Sequence, residues 1–179
     1  MLSRSNWLIL GFAVLAAVIG GYIEHRHQTA SADFAAPAMV GQALPAITLP
    51  DLDGKPHQLA EYRGRRVVLN FWASWCVPCL EEMPALTRVQ EKFGEHAPIV
   101  IGIAMDEPVR VRAFLAAHPV NYPILLGHLA WPSTSEQLGN ARQILPYSVL
   151  IDADGRILAT HEGPLTARLL QEWQIAESE

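Results

Sequence analysis

The stretch Val67-Val68-Leu69-Asn70-Phe71-Trp72, followed at once by Ala73-Ser74-Trp75-Cys76-Val77-Pro78-Cys79, decides the fold. Its first half is nearly continuous apolar sequence rich in β-branched and aromatic residues, the pattern of a strand buried on both faces. After it the period changes. Met83, Leu86, Val89 and Phe93 recur at helical spacing, and Pro78 suits a first helical turn, where a missing N–H costs nothing. The spacing predicts a strand over 67–72 and a helix over about 77–94, with both thiols at the helix N-terminus.

Farther along, Ile99-Val100-Ile101-Gly102-Ile103-Ala104 is a second apolar run, so residues 67–104 read as a βαβ unit with parallel strands and a right-handed crossover. Gly94 and Pro98 punctuate the helix exit. A helix over 107–117 follows, with Asp106 as its candidate cap and Pro108 in its first turn, then a strand over 122–126. Ser133 and Glu136 have capping-box spacing for a short helix within 132–138. Residues 147–151 and 156–161 flank Asp154-Gly155, a hairpin signal. Pro164 opens a last helix with Leu165, Leu169, Leu170 and Trp173 on one face. Upstream, 46–49 and 57–59 flank an Asp-Gly turn and form a small ribbon. Strands mixed with helices around one crossover unit indicate a three-layer α/β domain over residues 40–179.

The chain has 179 residues and a net charge of −5, enough for one well-buried domain and without the basic footprint that nucleic-acid binding needs. Residues 7–23 carry no charged side chain, whereas Arg4 precedes them and Glu24-His25-Arg26-His27 follows. That run is at the lower limit for a bilayer-spanning helix and longer than the usual apolar core of a signal peptide. The expectation is a cytoplasmic stub over 1–6, a single-pass inner-membrane anchor over 7–23, a tether over 24–39 and a catalytic domain outside the cytoplasm. The second choice is cleavage after the small-x-small Ala30-Ser31-Ala32, giving a soluble periplasmic protein.

Cys76 and Cys79 are the only cysteines. They cannot make a disulfide framework, and no second Cys/His pair at ligand spacing completes a zinc site, so redox chemistry is the first reading of the pair. A helix N-terminus stabilises negative charge, which makes Cys76 the expected nucleophile. Cys79, one turn on, is placed to resolve a mixed disulfide on Cys76. With Cys79 at zero on a helical projection, Glu82 falls at about −60° and Leu86 at about −20°, inside the apolar stripe, whereas Glu81 at about −160° faces solvent. Glu82 is therefore either a partly buried acid exchanging a proton with Cys79 or a carboxylate at the stripe's edge reaching water. Trp72 and Trp75 bracket the thiols, as shields or as core. The remaining histidines show no ligand spacing beyond His25-x-His27 and read as surface residues.

Taken together, Phe71 to Cys79, Glu82-Met83-Pro84, and Leu145-Pro146-Tyr147-Ser148-Val149-Leu150-Ile151-Asp152 resemble the TlpA/ResA/CcmG group of membrane-anchored thioredoxin-like proteins. The resemblance covers nearly everything from Val40 onward. It implies a thioredoxin fold with an N-terminal β-ribbon, matches Glu82 to that group's buried active-site acid, and makes Pro146 a cis-proline opposite the thiols, where the Leu145 backbone can pair with an extended substrate. Trp75, Val77 and Pro78 are the other expected substrate contacts. It further implies a thiol-disulfide oxidoreductase without a bound cofactor, re-reduced by a membrane electron relay of the DsbD/CcdA type. Apocytochrome c or the copper-site cysteines of oxidase assembly factors are its implied substrates. Val77 stands where thioredoxin itself has glycine, and residues 139–145 differ from the loop of the dedicated cytochrome c maturation branch, so a general TlpA-like reductase is favoured. Two alternatives stay open: a module holding Cu(I) between Cys76 and Cys79 as thiolates, and a periplasmic thiol oxidase.

Overall fold

Strand β3, Val67–Trp72, is buried at every position and forms the middle of the central sheet. The computed structural model describes residues 39–93 and 99–175. The expected anchor, most of the tether, and the helix exit at Gly94 and Pro98 lie outside them. Among the described residues no helix is long and apolar enough to cross a membrane.

Five strands pair in the order β5-β4-β3-β6-β7, where β4 is Ile99–Ala104, β5 Ile124–Leu126, β6 Tyr147–Ile151 and β7 Ile157–Glu162. β3 runs parallel to β4, with Val67 opposite Ile99 and Trp72 opposite Ala104, and β4 runs parallel to β5. On its other side β3 is antiparallel to β6, with Phe71 opposite Tyr147, and β6 is antiparallel to β7. The sheet is therefore mixed, and its middle strand has no face to leave in water.

The alternation of side chains along each strand sorts the core into two layers. Leu69, Phe71, Ile101, Ile103, Val149 and Ile151 meet Leu44, Ile47, Leu49 and Leu59 from the N-terminal segment on one face. Val68, Val100 and Leu150 meet Leu86 of helix α1 (Val77–Phe93) and Leu170 and Trp173 of helix α4 (Ala167–Ile175) on the other. Helix α2, Pro108–Ala117, lies beside α1 and buries Val111 in a third cluster that includes both cysteines. Helices on one face and the ribbon on the other complete the three layers.

Most expected elements form where the pattern placed them, and the shifts have local causes. The ribbon pairs β1, Thr48–Pro50, with β2, Pro56–Gln58, and the chain then leaves the strand for a 3-10 helix at Leu59–Tyr62 that buries Leu59. β5 begins at Ile124, not at residue 122, because Pro123 has no N–H for the ladder; its carbonyl accepts from Gly102 N–H instead (2.9 Å). Helix α3, Thr134–Gln137, carries the expected capping box between Ser133 and Glu136. α4 starts three residues after Pro164, capped by the Thr166 hydroxyl, which accepts from Leu169 N–H (3.2 Å). Asp106 does not cap α2: Glu107 occupies the N-cap without a side-chain hydrogen bond, and Asp106 is engaged elsewhere, as described below.

Leu86 is fully buried between α1 and the sheet. Leu86→Ala should cost about 2–5 kcal/mol, read as a lower urea midpoint with an unchanged slope. A loss below about 1 kcal/mol would mean that α1 does not depend on this contact.

Candidate active site

β3 ends at Trp72, and the turn Ala73-Ser74-Trp75 brings the chain over the sheet edge into α1. Cys76 N–H donates to the Ala73 carbonyl (3.1 Å), and the Cys76 carbonyl accepts from Cys79 N–H (3.0 Å) and Leu80 N–H (3.2 Å), so the helix is wound from its first residue. A buried side chain holds this turn from outside. One carboxylate oxygen of Asp106 accepts from both the N–H and the hydroxyl of Ser74, and the other accepts from Glu107 N–H (2.8 Å). The end of β4 thereby fixes the turn that carries the first thiol.

Cys76 and Cys79 are joined in a disulfide with Cα atoms 5.3 Å apart. Cys76 is 5% exposed and Cys79 is fully buried, so an incoming sulfur meets Cys76 first. Both pack with Trp72, Ala73, Met83, Ala104 and Val111. Trp72 is buried among them, whereas Trp75 is 63% exposed; of the two tryptophans only Trp72 shields the sulfurs. Val77 is also exposed, Pro78 half-buried.

Glu82 is buried, one turn below Cys79 on α1. Of the two readings open for it, the edge carboxylate reaching water is excluded. Its Oε1 accepts from Asn70 Nδ2 (2.7 Å) and its Oε2 from Leu165 N–H (2.6 Å). Burial pushes this carboxyl up from its ordinary 4.5 to about 7; the two hydrogen bonds favour the anion but do not outweigh desolvation. Burial also raises the nearby Tyr122 phenol, helped by the charge of Glu82. Asn70 Nδ2 reaches Ser148 Oγ as well (3.1 Å), so strands β3 and β6 both contribute to the acid's seat.

The Leu145–Pro146 peptide is cis, Pro146 is buried, and Leu145 packs against the cluster containing the cysteines. The Pro146 carbonyl accepts from Gly163 N–H (2.8 Å). Cys76, Cys79, Glu82, Trp75, Val77, Pro78, Leu145 and Pro146 thus lie on α1, on the turn before it, or on the segment leading into β6, with Trp72 at the end of β3, and these meet at one end of the sheet. Asn70, Ser148, Ser74, Asp106 and the Leu165 N–H were not anticipated. Only Asn70 carried a signal, as the one polar residue in a strand otherwise apolar throughout. The histidines are not uniformly free surface: His57 is half-buried, with Nε2 3.0 Å from Asp51. Among the described residues no group of three or more His, Cys, Asp or Glu side chains could hold a metal ion.

The raised pKa of Glu82 makes stability depend on pH with a definite sign. The folded chain holds this proton more tightly than the unfolded one, so the contribution is fully present below about pH 4.5 and is lost as pH rises through about 7. The loss is on the order of 3 kcal/mol. Glu82→Gln should remove most of that slope in urea titrations of the oxidised protein, since Asn70 can turn its amide to accept from the new Nε2. An unchanged slope would show that another group titrates.

This geometry has counterparts in known proteins. Residues 39–176 match the Redoxin family. The chain is 31% identical over 136 residues to the thiol-disulfide oxidoreductase ResA of Bacillus thuringiensis, covering 75% of this chain and 76% of that one. It is 27% identical over 170 residues to ResA of Halalkalibacterium halodurans, covering 93% and 92%. A crystal structure from Chlorobium tepidum, assigned as a thiol:disulfide interchange protein DsbE, superposes with a TM-score of 0.67 at 28% identity over 77% of this chain and 96% of that one. With a CxxC pair at the start of α1 and a thioredoxin-like mixed sheet beneath it, the chain belongs to the Redoxin family, as a thiol-disulfide oxidoreductase of the ResA/CcmG type.

Proposed function

We propose that this oxidoreductase works as a reductase of protein disulfides on the outer side of the inner membrane, held there by residues 7–23. The observation that carries the reading is the buried, hydrogen-bonded carboxyl of Glu82 one turn below a fully buried Cys79. A carboxyl with a pKa of about 7 both accepts and returns a proton near neutrality, which a resolving thiol in an apolar seat needs.

In the reduced protein, Cys76 lies at the start of α1, where the helix N-terminus favours its thiolate. The Cys76 thiolate attacks one sulfur of a substrate disulfide; a Cys76–substrate bond forms, the substrate S–S bond breaks, and the second substrate sulfur leaves and takes a proton from solvent. Cys79 then passes its proton to the Glu82 carboxylate and attacks Cys76 Sγ. The Cys76–Cys79 bond forms, the mixed disulfide breaks, and the remaining substrate thiolate is protonated. Two electrons have moved to the substrate, and the product is the disulfide described above. Leu145, at the cis bond, offers its backbone to an extended substrate segment, and Trp75, Val77 and Pro78 form the apolar rim around the sulfurs. Return of the pair to dithiol requires a two-electron donor, for which a membrane relay of the DsbD/CcdA type fits an anchored protein. Apocytochrome c and copper-site cysteines of oxidase assembly factors are the candidate substrates.

The potential of the pair, equilibrated against glutathione buffers, should lie below that of glutathione; a value well above it would make the protein an oxidase. Cys79→Ala should accumulate mixed disulfides with envelope proteins, identifiable after non-reducing electrophoresis, and Cys76→Ala should accumulate none. Glu82→Gln should remove the inflection near pH 7 from the rate at which the mixed disulfide is resolved, and an unchanged profile would end the acid's catalytic role.

A further inference from the structure

The apolar rim of the disulfide continues beyond the thiols. Val77, 64% exposed, begins a strip along α1 that runs through Leu80, Pro84 and Arg88, which the helical period stacks on one side. On that side an open groove of about 410 Å³ separates α1 from α2 and the segment after it, within the size range of ligand clefts. Leu80 and Met83 line it from α1, and Phe114 and His118 face them. The Phe114 ring lies 5.4 Å from Trp72 and stacks on His118 at 4.5 Å. Asn121 Nδ2 donates to the Thr87 carbonyl (3.2 Å), fastening the segment after α2 to α1.

The two ends of this groove differ in chemistry. Leu80, Met83 and Phe114 also pack in the cluster that holds Cys76 and Cys79, so the inner end belongs to the disulfide's own surroundings. The outer end presents Arg88 and His118 on a chain whose net charge is −5, and among the described residues no carboxylate lines the groove; Glu91 follows about one turn beyond it. An apolar trough leading from a redox rim to a basic end suits a chain segment that carries an apolar side chain and then an acid.

Resting on the reading of this protein as a protein-disulfide reductase, we infer that the groove seats the segment of the substrate protein adjoining its target cysteine. A large apolar side chain of that segment lies against Leu80, Met83 and Phe114, and a carboxylate beyond it meets Arg88 and His118. Eleven helical positions separate Val77 from Arg88, a rise of about 16 Å, which an extended chain covers in about five residues. Preferred substrates therefore carry Asp or Glu about five positions from the reactive cysteine, with a large apolar residue between them. The continuity of the strip with the thiol rim is the reason for assigning the groove to a protein substrate.

The test uses the full chain in its reduced form and synthetic peptides, each with one cysteine as a mixed disulfide with 2-mercaptoethanol, leucine at the third position from it and glutamate or lysine at the fifth, in both chain directions. The glutamate peptide of one direction should oxidise the protein about tenfold faster than its lysine counterpart, and replacing its leucine by alanine should remove most of that advantage. Arg88→Glu should invert the preference, a ratio that does not depend on how much of the variant is folded. Wild-type rates within twofold for the two charges, or a preference unchanged in Arg88→Glu, would overturn the inference and leave the reductase reading standing. A reduced protein that reacts with bis(2-hydroxyethyl) disulfide but with none of the peptides would overturn both.

Discussion

The hydrogen bonds around the Glu82 carboxylate are the joint through which the active-site elements are held together. The acid projects from α1, Asn70 reaches it from β3, Leu165 N–H reaches it from the turn before α4, and Asn70 in turn reaches Ser148 on β6. Three pieces of chain meet at this buried side chain, and Asn70 ties in a fourth. None of the described contacts supplies a cation, so the full charge is expensive there, and the two hydrogen bonds that favour it do not repay its desolvation. That is the physical origin of a carboxyl that titrates near 7 rather than near 4.5.

The same joint explains how distant parts of the sequence reach the sulfurs. β3 and β6 are antiparallel neighbours, so the end of β3, which delivers Cys76, and the start of β6, which delivers Leu145 and Pro146, lie at one edge of the sheet. The turn after β7 serves both: Gly163 N–H holds the Pro146 carbonyl and Leu165 N–H holds Glu82. The site is buried where strands and helices meet and exposed at its rim, where Trp75 and Val77 face outward.

Much of this was legible in the sequence because the signals were local. An apolar run that changes to helical spacing at Cys79 defines β3 and α1, and the angular position of Glu82 within the apolar stripe made burial one of its two readings, which the fold then selects. What failed depended on long-range partners. Asp106 has the residue type and place of a helix cap, but Ser74, thirty-two positions earlier, competes for its oxygens and wins. Trp75 and Trp72 are alike in type and three positions apart, yet one lies in a strand buried on both faces and the other on an exposed turn. Leu165 N–H carries no side-chain signal at all.

The surroundings of the two sulfurs also differ in a way that would order the proposed exchange. Cys76 is at the outer end, before the first helical residue, where the positive end of the helix dipole favours negative charge and an incoming sulfur has access. Cys79 is inside the first turn and fully buried, where an apolar seat disfavours the thiolate until a base takes its proton. Exchanging the two roles would require an attacking sulfur to pass beneath the helix start and a charge to form in the buried, apolar seat of Cys79. The helix thus separates attack from resolution by one turn, and the proton that must move between the two steps has Glu82, buried one turn below Cys79, as its partner on that helix.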